Sequence, residues 1–147
     1  MGELSVRDLQ VGDRVCTGFE IEVTAEDIIA FARQYDPQAW HLGEAEARDT
    51  PFGALVASGW QTAAITMRLL VELDLGALIG VGVTLNWPTP TYPGDRLHVD
   101  LAVTGKRDSK SRPGRRLVTI EYDTLNQFGE VRQHTTTTVM TWDDNSS

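Results

Sequence analysis

The sequence predicts an α+β domain in which a long helix lies against one face of an antiparallel sheet. Two observations carry this. After Gly80 the apolar period changes to two, and four strand-like runs follow one another. Before them lies one long, weakly charged helical segment, so helices and strands are segregated along the chain rather than alternating. At 147 residues, with 41% hydrophobic and 23% charged residues, the chain reads as one domain over residues 1–147 with its own core.

The elements follow in order. VCTGFEIEV, Val15 to Val23, alternates and is rich in β-branched residues, which predicts a strand. Thr24 then sits as an N-cap, with Asp27 three residues on at the capping-box position. Ile28, Ile29, Phe31 and Ala32 form the apolar stripe of a first helix. Pro37 biases Asp36 away from helical angles, so this helix should end at about Tyr35. A connection from His41 to Ser58 holds a short helical turn around Glu44 to Arg48 and is punctuated by Pro51 and Gly53. Gly59 to Asp74 is the long helix. Ala63, Ala64, Met67, Leu70 and Val71 recur at helical spacing, and the scarcity of charge predicts burial on most sides. The runs VGVTLNW, DRLHVDLAVTGKR, RRLVTIEYDTLN and VRQHTTTTVMTW are the four late strands. PTPTYPGD is a rigid connection and NQFGE a hairpin turn. The polar tail DDNSS is expected to fray.

Composition excludes several classes of function. One cysteine, Cys16, allows neither an internal disulfide nor a cysteine-based zinc site, and cytoplasm is the expected compartment. The N-terminal run shows no secretory h-region, and no window is apolar enough for a membrane span. A net charge of −8 argues against nucleic-acid binding. The charge is uneven. KRDSKSRPGRR, Lys106 to Arg116, carries +5, so the rest of the chain carries −13. Lys110 and Arg112 in this run are either an anion-binding patch or the solvated tip of a hairpin turning at Pro113-Gly114. No P-loop, G-x-G-x-x-G, G-x-S-x-G or metal-ligand cluster occurs, so neither a metal nor a dissociable cofactor is expected.

Two short stretches hold chemistry. In YDPQAWHL, Asp36 and His41 flank a tight turn just after a helix. A carboxylate and an imidazole aimed into one pocket can hold and activate a water. Alternatively Asp36 caps the turn and His41 bonds a backbone carbonyl. In VASGWQT, Ser58 can cap the long helix, leaving Gly59 and Trp60 to present backbone N–H groups at its positive end. Such a terminus can hold developing negative charge on a thioester oxygen. Alternatively it is an ordinary cap beside a packing glycine. His98 and His134 sit mid-strand, and the four tryptophans read as core or interface anchors. Gln61 and Thr62 read as helix rather than site.

Together these features resemble the MaoC-like dehydratases, relatives of the (R)-specific enoyl-CoA hydratases. That family has a D-x-N-P-x-H motif after its first helix. DPQAWH keeps the acid at Asp36 and the histidine at His41, with Gln38 and Ala39 in place of Asn and Pro. The family's A-H-G appears as Ala57-Ser58-Gly59, and PTYPGDRL matches its Pro-Gly-Asp entry into a strand. The resemblance covers essentially the whole chain in order.

It implies a hot-dog fold, a curved antiparallel sheet wrapped around a long central helix. It also implies hydration of an enoyl thioester, or dehydration of a 3-hydroxyacyl thioester. Asp36 and His41 would activate the water, and Gly59 would hold the thioester oxygen. Ser58, Gln38 and Trp60 would border the substrate, and Lys110 and Arg112 would meet the CoA phosphates. The implied partners are acyl-CoA or an acyl carrier thioester and a second copy of the chain, with no nucleic acid and no membrane. The alternatives are a hot-dog acyl-CoA thioesterase, in which the same site directs water at the carbonyl, and a non-catalytic acyl-thioester-binding half of a heterodimer, which Gln38 and Ser58 motivate.

Overall fold

The computed structural model describes residues 5–76 and 79–142. The expectation that DDNSS frays, and the reading of the first four residues, lie outside them. The described residues form six strands and three α-helices: β1 Arg14–Cys16, β2 Ile21–Glu22, α1 Ala25–Tyr35, α2 Glu44–Ala47, α3 Gly59–Glu72, β3 Ile79–Asn86, β4 Arg96–Asp108, β5 Arg115–Leu125 and β6 Val131–Trp142. All pairings are antiparallel. The order is β1-β4-β5-β6-β3, with β2 also on β4. The curved sheet takes α3 as its central helix, which is the hot-dog fold.

The late strands alternate as the sequence predicts. Leu97, Val99, Leu101 and Val103 of β4, with Val118, Ile120 and Tyr122 of β5, bury one face. Ile28 of α1 and Leu69 of α3 pack into the same core. The α1 boundaries are as expected. Thr24 Oγ1 accepts from Asp27 N at 3.1 Å, and the helix stops at Tyr35 before Asp36-Pro37.

Two expectations are corrected. The single strand over Val15–Val23 is two short strands, because the side chain of Thr17 takes over the ladder. Its Oγ1 accepts from Val99 N at 2.9 Å while Thr17 N donates to Val99 O at 2.9 Å. The second correction is to α3, which is not buried on most sides. It buries Gln61, Thr62, Thr66 and Leu69 and leaves Ala64, Met67 and Val71 exposed, Val71 at 65%. Hydroxyl pairing makes the polar side buriable. Thr66 Oγ1 donates to Thr62 O at 2.8 Å and lies 2.7 Å from Thr124 Oγ1, and Thr62 Oγ1 donates to Thr91 Oγ1 at 3.0 Å.

Candidate active site

Local sequence brings Asp36 and His41 together. Asp36 ends α1 in a non-helical conformation (φ −152°, ψ 68°), as the following proline requires. A 3-10 turn over Ala39–His41 then reverses the chain, with His41 N donating to Gln38 O at 2.9 Å. His41 Nε2 comes to rest 3.3 Å from Asp36 Oδ2, with His41 only 5% exposed. The other ring nitrogen, Nδ1, is 2.6 Å from Val56 O. A carbonyl only accepts, so Nδ1 carries a proton and Nε2 is the nitrogen left for chemistry. His41 therefore bonds a backbone carbonyl with one nitrogen and faces the acid with the other.

The carboxylate is held on every side. Gln38 Nε2 donates to Asp36 Oδ1 at 2.6 Å, and the buried Ser58 hydroxyl also bonds Asp36. Burial is the largest single influence on this group and pushes its pKa up. The Ser58 and Gln38 hydrogen bonds and the adjacent His41 ring together outweigh it and hold the carboxyl below its usual value. Asp36 is a carboxylate at neutral pH.

Ser58 also caps α3, accepting from Trp60 N at 3.3 Å. Its neighbours are fixed from both sides: Val56 N donates to Trp40 O at 3.0 Å and Ala57 N to Thr91 O at 2.8 Å. The helix therefore starts beside Asp36, and Ser58 takes the amides of Trp60, Gln61 and Thr62 through its Oγ and O, leaving the Gly59 amide without an acceptor in the helix. Gly59 has a steric reason. A Cβ there would lie 2.5 Å from the Trp87 indole. Asp36, Gln38, His41, Ser58, Gly59 and Trp60 all line one cavity of about 520 Å³. The 87–91 segment lines it too, as does Arg132, which bonds Asp95 Oδ2 through Nε at 2.9 Å and Thr89 Oγ1 at 2.9 Å.

Lys110 and Arg112 do not join this group. They sit exposed in the turn between β4 and β5 and do not line the cavity. Sequence reasoning also missed residues. Thr62, read as plain helix, lines the cavity, as do Trp87 and Arg132. Thr62 had a signal, since it falls one helical turn beyond Ser58. For Arg132, mid-run in a strand, the sequence offers none.

A family profile described as "MaoC like domain" matches residues 8–124, which spans the acid, the histidine, the start of α3 and the Pro-Gly-Asp turn. The chain belongs to the MaoC-like domain family. The crystal structure of a MaoC-like dehydratase from Rhodospirillum rubrum is 51% identical, with a TM-score of 0.89 over 95% of this chain and 97% of that one. A 3-hydroxybutyryl-CoA dehydratase of Methylorubrum extorquens is 31% identical over 102 residues, 68% of this chain and 64% of that protein. The uncharacterized protein YdeM of Bacillus subtilis is 34% identical over 111 residues, 73% of this chain and 77% of that protein.

Proposed function

We propose that this MaoC-like domain hydrates enoyl thioesters and, in reverse, dehydrates 3-hydroxyacyl thioesters, with Asp36 and His41 sharing one water. The observation that carries the reading is the Asp36–His41 contact at 3.3 Å, in a cavity that also contains the start of α3. The similarity to a 3-hydroxybutyryl-CoA dehydratase supports it.

The geometry divides the work. Asp36, ionised and fixed by Gln38 and Ser58, orients the water and favours positive charge on the ring. His41 Nε2 takes the water's proton as its oxygen bonds the β-carbon of the double bond. The π electrons move to the thioester oxygen, where the amide of Gly59 and the positive end of α3 hold the developing enolate. The proton on Nε2 then passes to the α-carbon. Water is added across the double bond and the carbon–sulfur bond stays intact. Val56 O keeps Nδ1 protonated throughout, so the ring cannot turn to the wrong tautomer.

The substrate carrier is CoA or an acyl carrier protein, and no cofactor takes part. In this reading the chain works in the cytoplasm as a homodimer, joined at the open edge of β3. That strand ends the sheet, and its outer backbone groups can pair with the same strand of a second copy.

Mass spectrometry of products from crotonyl-CoA tests the reaction. The reading predicts a thioester heavier by one water and no free thiol. Release of free CoA would make the site a thioesterase instead. Binding without any product would make it an acyl-thioester-binding subunit.

A further inference from the structure

A second cavity, of about 750 Å³, lies between α3 and β3 over the inner face of the sheet. Its walls are largely apolar, with Met67, Leu70 and Val71 from the helix and Val81 and Val83 from the strand. Its helix wall starts at Ala63, next in sequence to Thr62 of the reaction cavity, and runs on through Thr66.

One bonded pair stands on the boundary. Trp87 lines the reaction cavity and Gln133, 2% exposed, lines the other. Trp87 Nε1 donates to Gln133 Oε1 at 3.0 Å, and Gln133 Nε2 in turn donates to Thr135 Oγ1 at 3.0 Å. On its other side the indole meets Trp60 edge to face, with ring centroids 5.4 Å apart. It also rests on the first residue of α3 so closely that Gly59 has no room for even a methyl group. The indole thus stands between the Gly59 amide of the reaction cavity and Gln133 of the apolar one.

Resting on the enoyl-thioester reading above, we propose that Trp87, pinned by Gln133, is the specificity-determining residue of the site. It closes the reaction cavity against the apolar one, restricts the substrate to short acyl groups, and admits long ones only when removed. Trp87 touches the acyl group but moves no proton. Each methylene an apolar pocket accepts or refuses is worth roughly tenfold or more in specificity. A wall of indole size therefore sets a steep cut-off.

The test compares kcat/KM for crotonyl-CoA and octenoyl-CoA in the native protein, Trp87→Ala, Trp87→Phe and Gln133→Leu. The native protein should prefer crotonyl-CoA by about tenfold or more, and Trp87→Ala should move that ratio by at least about tenfold toward octenoyl-CoA. Trp87→Phe keeps a wall and should keep most of the preference. Gln133→Leu frees the indole while filling the space, and should relax the ratio part-way. A merely structural role would lower both substrates together. Calorimetry with butyryl-CoA and octanoyl-CoA, which cannot be hydrated, reads the same cut-off without turnover. A shifted binding ratio with no turnover would overturn the hydratase reading and leave the gate standing. An unchanged ratio in Trp87→Ala, or a native protein that takes the longer chain as well as the shorter, would overturn the gate. No binding of either thioester would overturn both.

Discussion

At the start of α3, each polar group that matters is held by another. Gln38 and Ser58 hold Asp36, Val56 O holds His41, and Arg132 holds Asp95 and Thr89. The tip between β4 and β5 is built the opposite way. Lys110 and Arg112 stand in solvent, and their neighbour Arg116 meets a still more exposed Asp108 at 3.4 Å. Both regions drew notice in the sequence, one by a spaced acid and histidine, the other by a block of charge. The difference is preorganisation. A mutually bonded constellation around a buried histidine and serine is aimed before substrate arrives, whereas exposed cations are screened and contribute little each.

Four variants break or sharpen that contrast. The largest effect is expected at His41. His41→Ala removes the proton carrier and should lower kcat for crotonyl-CoA hydration by roughly a hundred- to ten-thousand-fold. A drop of less than tenfold would place the proton work elsewhere. Arg132→Ala should be next, on stability. It leaves the buried Asp95 carboxylate without its cation, which typically costs about 3–5 kcal/mol, read from the urea midpoint.

A smaller and more diagnostic effect belongs to Ser58→Ala combined with Gln38→Ala. Their bonds lower the Asp36 pKa against burial, so removing them leaves burial in charge and the pKa rises. Hydration needs the carboxylate. The contribution of Asp36 to the acid limb of the kcat/KM profile should therefore move to higher pH in the double variant. A limb that does not move would show that these bonds do not set the charge of Asp36. The smallest effect is expected from Lys110→Ala with Arg112→Ala. KM for the CoA thioester should rise by only a few-fold at low salt, and the difference should vanish near roughly 1 M salt. A salt-resistant rise of tenfold or more would put the tip in the site and erase the contrast.

The sequence was informative wherever local rules decide. Pro37 stops α1, Thr24 caps it, period-two alternation marks β4 to β6, and the order of short motifs points to Asp36, His41 and Gly59. It failed where a side chain replaces backbone or where polarity runs against position. Thr17 breaks the first strand because its hydroxyl bonds β4, a substitution with no periodic signature. The threonines of α3 face inward because Thr91 and Thr124, distant in sequence, offer hydroxyls to them. Trp87 looks like any core aromatic until Gly59 is beneath it, and Arg132 looks like a surface cation until Asp95 is beside it. These are long-range pairings, and a spacing rule reads only neighbours.

The most direct test of the account is the absorbance of the enoyl-thioester band when crotonyl-CoA is mixed with the native protein and, in parallel, with Asp36→Asn. Asn keeps the shape and removes the charge that orients the water. The account predicts that the band decays with the native protein and persists with the variant, while both give the same circular dichroism spectrum. Equal decay with both would contradict it, because the Asp36–His41 pair would then not be what activates the water.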